Sequence, residues 1–187
     1  MELTDAFRCA QQISQSLREE FPRHAFSGAL AQHHWSGSGP IDELEILIPC
    51  PFGEEAHVAR HLLPAAESDA KRFRQILAQH PSGLRLRYIL SGLPFEETML
   101  ARAVTANEVP LISAEDWLLL MLFRFRPGVE AQARALLRAR RGYLQWPYID
   151  HWLPQLADLK EDPRPFELLQ FIRATSSTPP NGDNDQR

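Results

Sequence analysis

Phe7, Ala10, Ile13 and Leu17 recur at near-helical spacing, so Leu3 to Phe21 reads as an amphipathic helix. Thr4 or Asp5 can cap it, and Pro22 ends it. Phe26-Ser27-Gly28-Ala29-Leu30 is a short strand-like or turn-like piece. His33 to Pro40, dense in Gly, Ser and Pro, reads as a loop. Ile41 to Ile48 alternates acidic and apolar residues and then turns apolar. That predicts a strand whose acids share one face and whose end enters the core. Pro49 to Gly53 closes it, and Glu54 to Gln79 predicts helix with a break at Pro64. Leu84, Leu86 and Tyr88 alternate with Arg85, Arg87 and Ile89, which marks a second strand; Ser91-Gly92 then turns the chain.

Pro94 to Ala106 predicts a helix, and Val109 to Ile112 a short extended piece, because the residue before a proline avoids the helical region. Ser113-Ala114-Glu115-Asp116 is a helix start: the serine caps, and the acids suit the positive end of the helix dipole. Trp117 to Phe125 continues as a buried helix until Pro127-Gly128 breaks it. Three more helices follow, over Val129–Arg141, Tyr148–Leu159 and Pro165–Ala174. Ala133, Leu136 and Leu137 face inward on the first of these, and Trp152, Leu153 and Leu156 on the second. The pattern is α+β: a small mixed sheet with flanking helices over about 23–112, and a helical part over 113–174. Together they make one expected domain, 1–174, followed by a polar tail, 175–187, that reads as disordered. No internal repeat is visible.

Composition narrows the class. A chain of 187 residues can bury a proper core without disulfides or metal. The formal net charge of -4 gives no general pull toward nucleic acid or anionic membrane. Two cysteines, Cys9 and Cys50, make no disulfide framework and point to a reducing compartment. Met1 to Glu20 lacks the basic start and apolar stretch of a secretory signal. The longest apolar run, Trp117 to Phe123, falls far short of the roughly 20 residues that span a bilayer. The expectation is therefore a cytoplasmic protein with no membrane partner.

Four segments in order carry the candidate chemistry. They are Ser27-Gly28; the acidic strand Glu43-Leu44-Glu45-Ile46; Arg87-Tyr88-Ile89-Leu90 followed by Gly92 to Glu96 and Arg102-Ala103; and Val109 to Leu118 followed by Arg126-Pro127. This order resembles the small bacterial nucleotidyltransferase-fold proteins, including those of toxin–antitoxin operons, over roughly residues 23–157. The resemblance implies that Ser27 and Gly28 cradle nucleotide phosphates with backbone N–H groups. It implies that Glu43 and Glu45, on one strand face, stand where the family has an aspartate pair that holds Mg2+ on a nucleoside triphosphate. It also places Arg87 at the family's third carboxylate, Met121 at a customary lysine, and Arg126-Pro127-Gly128-Val129 on an Arg-Pro-Lys-Asp run. Arg126 keeps that run's first residue, while the acid is lost.

A cation at position 87 repels a metal and can pair with Glu43 or Glu45 instead. Three readings of the glutamates stand: the solvated face of an edge strand, a salt-bridged vestigial site, or a working metal site. The resemblance with its departures implies a catalytically degenerate protein that binds a nucleotide, an RNA or a protein partner. One alternative is an active Mg2+-dependent enzyme moving a nucleoside monophosphate to a protein or RNA hydroxyl. Another is an interaction protein with no nucleotide role. Elsewhere, Arg134, Arg138, Arg140 and Arg141 form a basic run that reads as a solvated face or as an RNA or partner surface. Trp146, Tyr148 and Trp152 would add stacking there or pack the last helices. His33 and His34 point apart on an extended chain, so a metal would need Cys50 or His57 to join them.

Overall fold

The apolar stripe at the start becomes helix α1, Leu3–Leu17, in a computed structural model that describes residues 2–37, 39–62, 74–140 and 142–176. The chain forms two compact units, Met1–Trp117 and Leu118–Arg187.

In the first unit, β1 (Ala25–Ser27), α2 (Gly28–Ser36), β2 (Glu43–Pro49), α3 (Glu55–Leu62), β3 (Gln75–Gln79) and β4 (Arg85–Ser91) follow α1. Then come α4 (Pro94–Ala101), β5 (Val104–Ala106), β6 (Val109–Leu111) and the start of α5 (Ala114–Arg124). The six strands form one mixed sheet in the order β3-β4-β2-β1-β6-β5. β2 lies parallel to β4 and antiparallel to β1; β1 is parallel to β6. Strand alternation sends Leu44, Ile46, Ile48, Leu86, Tyr88 and Leu90 to one face. There they bury against Phe7, Ala10, Ile13 and Leu17 of α1, Leu30 of α2 and Val58 of α3. Removing that apolar area from water is the main stabilising term of this unit. The opposite face carries Ser27, Glu43, Glu45 and Arg87.

Tertiary contacts overrode local pattern in three places. Gly28 to Leu30, expected as a strand-like or turn-like piece, and His33 to Ser36, expected as loop, both belong to α2, where the Trp35 indole N–H donates to the Ile112 carbonyl at 2.9 Å. Gly37 then ends the helix in the left-handed region, its N–H on the His33 carbonyl. Gln75–Gln79, expected as helix, is an antiparallel edge strand on β4 with Ile76 fully buried. The expected break at Pro64 lies outside the described residues. The helix expected over Pro94–Ala106 stops at Ala101, and β5 and β6 form a hairpin. Its two-residue turn, Asn107-Glu108, has φ of 48° and 63°, the mirror-image geometry that matches strand twist.

The helix start at Ser113 forms as expected: its hydroxyl accepts the Asp116 N–H at 3.1 Å and lies 2.6 Å from the Asp116 carboxylate. Arg102, just past α4, donates to Glu115 at 3.2 Å and lies 3.6 Å from Asp116, tying the two helix ends together. In the second unit α5 ends at Arg124, Phe125 turns with φ 45°, and α6 (Val129–Arg140), α7 (Trp146–Lys160) and α8 (Arg164–Ser176) follow. Ala133, Leu136, Leu137, Leu153 and Leu156 are buried as their spacing predicts. α8 runs to Ser176, past the expected start of the tail; residues 177–187 and Arg141 lie outside the described residues.

His24 joins α1 to β1 from inside. Its Nδ1 donates to the Phe21 carbonyl at 2.7 Å, which leaves Nε2, 2.9 Å from the Ser14 hydroxyl, as the acceptor. Burial lowers its pKa; the Phe21 bond opposes this, and Arg18 adds to the lowering. The neutral ring therefore stabilises the fold fully above the unfolded value of about 6.5. That contribution is lost as pH falls from there through the lower folded value. Thermal melts of the wild type should show a steeper loss of stability across this acid window than melts of His24→Gln.

Candidate functional site

Pairing registers build the site. Ser27 on β1 stands opposite Glu45 on β2, and Glu45 stands opposite Arg87 on β4. Two residues earlier on the same face, Glu43 stands opposite Arg85. The sheet thus brings Ser27, Glu43, Glu45 and Arg87 to one face, as the sequence pattern predicted for the two glutamates. β2 is an interior strand, which overturns its reading as a solvated edge. Only about 14% of the Glu43 side chain remains exposed, and Glu45 is buried.

Arg87 reaches diagonally to Glu43. Its Nη2 donates to Oε2 at 3.0 Å, and its Nε lies 2.9 Å from Oε1, so both carboxylate oxygens face the guanidinium. Nη1 lies 3.5 Å from the Gln75 amide oxygen. The Glu43 bond is the largest of the causes that hold the Arg87 pKa above its ordinary value; burial opposes it, and the charges of Glu43 and Glu45 add to it. Arg85 pairs with Asp42 at 2.6 Å on the exposed side.

Glu45 turns the other way. The Ser27 hydroxyl donates to its Oε2 at 3.3 Å. Gly28, first residue of α2, has φ +59° and sits so close that an added Cβ would lie 2.8 Å from Cδ of Glu45 and 2.9 Å from Cγ. A carboxylate beside the positive end of a helix is favoured electrostatically. It also fills the space beside Gly28. The longer glutamate arm makes this reach possible.

These residues do not suit Mg2+. Magnesium asks for several oxygen donors in near-octahedral array. Both oxygens of Glu43 face a cation, Glu45 is packed on Ser27 and Gly28, and the facing strand brings a guanidinium rather than an oxygen donor. Among the described residues, no cluster of three or more His, Cys, Asp or Glu side chains is placed to hold a metal.

Met121 and Arg126 belong to the second unit: Met121 is buried in α5, and Arg126 is exposed in the turn before α6. Sequence reasoning missed Gln75 and the Asp42–Arg85 pair. The alternating Gln75-Ile76-Leu77-Ala78-Gln79 was the available signal for the first. His33 and His34 lie on α2, where His34 packs edge-on against Trp35 at 4.5 Å and Phe7 at 6.4 Å. Arg173 of α8 lies 4.3 Å over the Trp146 ring.

No family model and no curated protein sequence matches the chain. Among solved structures, the crystal structure of an antigenic nucleotidyltransferase-like protein from Paracoccidioides brasiliensis superposes with a TM-score of 0.50. The match covers 90% of this chain and 92% of that one, at 13% sequence identity. The class is thereby set: an α+β protein with a nucleotidyltransferase-like fold. At that identity the likeness speaks to fold alone.

Two substitutions probe the packing. Gly28→Ala forces a left-handed residue with a side chain against Glu45, and should cost roughly 1–3 kcal/mol in urea unfolding. Arg87→Ala strands the mostly buried Glu43 carboxylate and should cost about 1–3 kcal/mol by the same measurement. An Arg87→Ala protein as stable as wild type would show that the pair contributes nothing net.

Proposed function

We propose that this chain is a nucleotidyltransferase-like protein that has lost metal-dependent transfer and acts by binding a nucleotide, an RNA or a protein partner. The two-pronged contact of Arg87 with Glu43 carries the reading. A guanidinium already neutralises one of the two carboxylates that would have to bind Mg2+. The packing of Glu45 on Ser27 and Gly28 supports it from the other side. Within the fold, the chain belongs beside the small bacterial proteins of toxin–antitoxin type, as a degenerate member working in the cytoplasm. No helix among the described residues is long and apolar enough to cross a membrane.

The convergence of Ser27, Gly28, Glu43 and Glu45 on one sheet face supports a second reading, an active nucleotidyltransferase. For that, Mg2+ and a nucleoside triphosphate would have to displace Arg87 from Glu43 and draw Glu45 off Gly28.

Isothermal titration with Mg-ATP and Mg-GTP, each with and without EDTA, separates the two. Under the binding-only reading, Glu45→Ala does not weaken nucleotide binding, and radiolabelled triphosphate transfers no label to protein or RNA. Magnesium-dependent binding that Glu45→Ala removes, together with label transfer that Glu43→Gln abolishes, would establish the enzyme instead.

A further inference from the structure

The second unit holds a recess of about 690 Å3 bordered by Phe125, Arg126, Gly128, Val129, Arg134 and Arg164. Its volume falls in the range of small-molecule sites, roughly 300–1,000 Å3. We propose that this recess binds the polyphosphate chain of a nucleotide without a metal ion. The inference rests on the proposed binding role and moves it from the carboxylates of the sheet to arginines of the helical unit.

Three guanidiniums meet at the recess, and their charges are only partly answered. Arg134 donates to Glu130 at 2.9 Å and to the Thr175 hydroxyl at 3.0 Å. Arg164 forks onto Asp162 through two contacts of 2.8 Å. Lys160 shares the same Asp162 at 3.8 Å, so one carboxylate serves two cations. Arg126 is exposed and makes no side-chain hydrogen bond or ion pair among the described residues. Three guanidiniums at the recess thus stand against Glu130 and an Asp162 that Lys160 also draws on, a surplus that suits an anion. Guanidiniums match phosphate oxygens in pairs, as a forked donor does.

The backbone adds to this arrangement. Phe125 and Gly128, with φ of 45° and 86°, turn the chain so that the first residues of the twelve-residue α6 line the recess. The positive end of that helix reinforces the arginines without being the site. The other wall is apolar. Phe125, Pro127 and Val129 line the recess there, and the Arg164 guanidinium stacks over the Phe125 ring at 5.0 Å. A basic wall beside an aromatic one suits a ligand with a charged chain and a flat base. The small volume favours a nucleotide over an RNA strand.

The test uses the full chain in EDTA, with sodium tripolyphosphate, ATP and a short single-stranded RNA as probes, read by titration calorimetry and thermal shift. Tripolyphosphate and ATP should both bind and raise the melting temperature. Arg126→Glu should weaken both by at least about tenfold. Arg138→Glu makes the same charge change on an exposed residue of α6 outside the recess and should not. Arg126→Gln serves if the glutamate variant melts early. Absence of tripolyphosphate and ATP binding in EDTA overturns the inference. Equal weakening by the Arg126 and Arg138 variants, or binding of RNA alone, overturns it as well. These failures differ from failure of the binding-only reading, which shows as magnesium-dependent binding lost in Glu45→Ala.

Discussion

The parallel pairing of β2 with β4 is the constraint on which the candidate site depends. It sets Glu43 and Glu45 across from Arg85 and Arg87 in the middle of a six-stranded sheet. Like charges on adjacent interior strands would repel at short range, and unpaired ones would lose hydration without return. Opposite charges solve both problems. The same pairing presents Leu44, Ile46 and Ile48 beside Leu86, Tyr88 and Leu90 on the reverse face, where the core forms. Because strand side chains alternate, a slip of one residue would send the acids into that core and the isoleucines out of it. Core burial and charge pairing therefore select the same register.

The carboxylates are held by different means, and the difference decides what the face can do. Glu43 is answered by a cation, with one oxygen hydrogen-bonded to Nη2 of Arg87 and the other 2.9 Å from its Nε. Glu45 is answered by a hydroxyl and by the approach of a glycine that no other residue could replace without moving the glutamate. A metal ion would have to compete with the first arrangement and dismantle the second. An arginine beside one carboxylate and a helix start beside the other leave the two glutamates pointing to different partners.

The second unit distributes charge in the opposite sense. Around the recess before α6 the arginines outnumber the acids, and a left-handed phenylalanine leaves an aromatic wall beside them. A chain with a net charge of -4 can therefore still carry a local cationic site, since recognition of an anion depends on the groups within a Debye length, about 8 Å at physiological salt.

Much of the fold was legible in the sequence. Apolar spacing marked α1, α6 and α7, strict alternation marked β2 and β4, and Ser113 marked the start of α5, because each follows from periodicity or from a local hydrogen bond. The shared face of Glu43 and Glu45 was legible too, since residues two apart on a strand point the same way. What failed was decided at a distance. Helix α2 runs through His33 to Ser36 because Trp35 finds a carbonyl far along the chain. Gln75–Gln79 is a strand because β4 offers it an open edge. The turn at Asn107-Glu108 lacks the glycine that usually signals such a hairpin. By itself, then, the sequence determined which residues are acidic, basic or apolar on each strand and helix. Only the tertiary structure decided that β2 is interior and that Arg87 meets Glu43 while Glu45 meets Gly28, because strand order and diagonal reach arise from pairing between segments that no local pattern encodes.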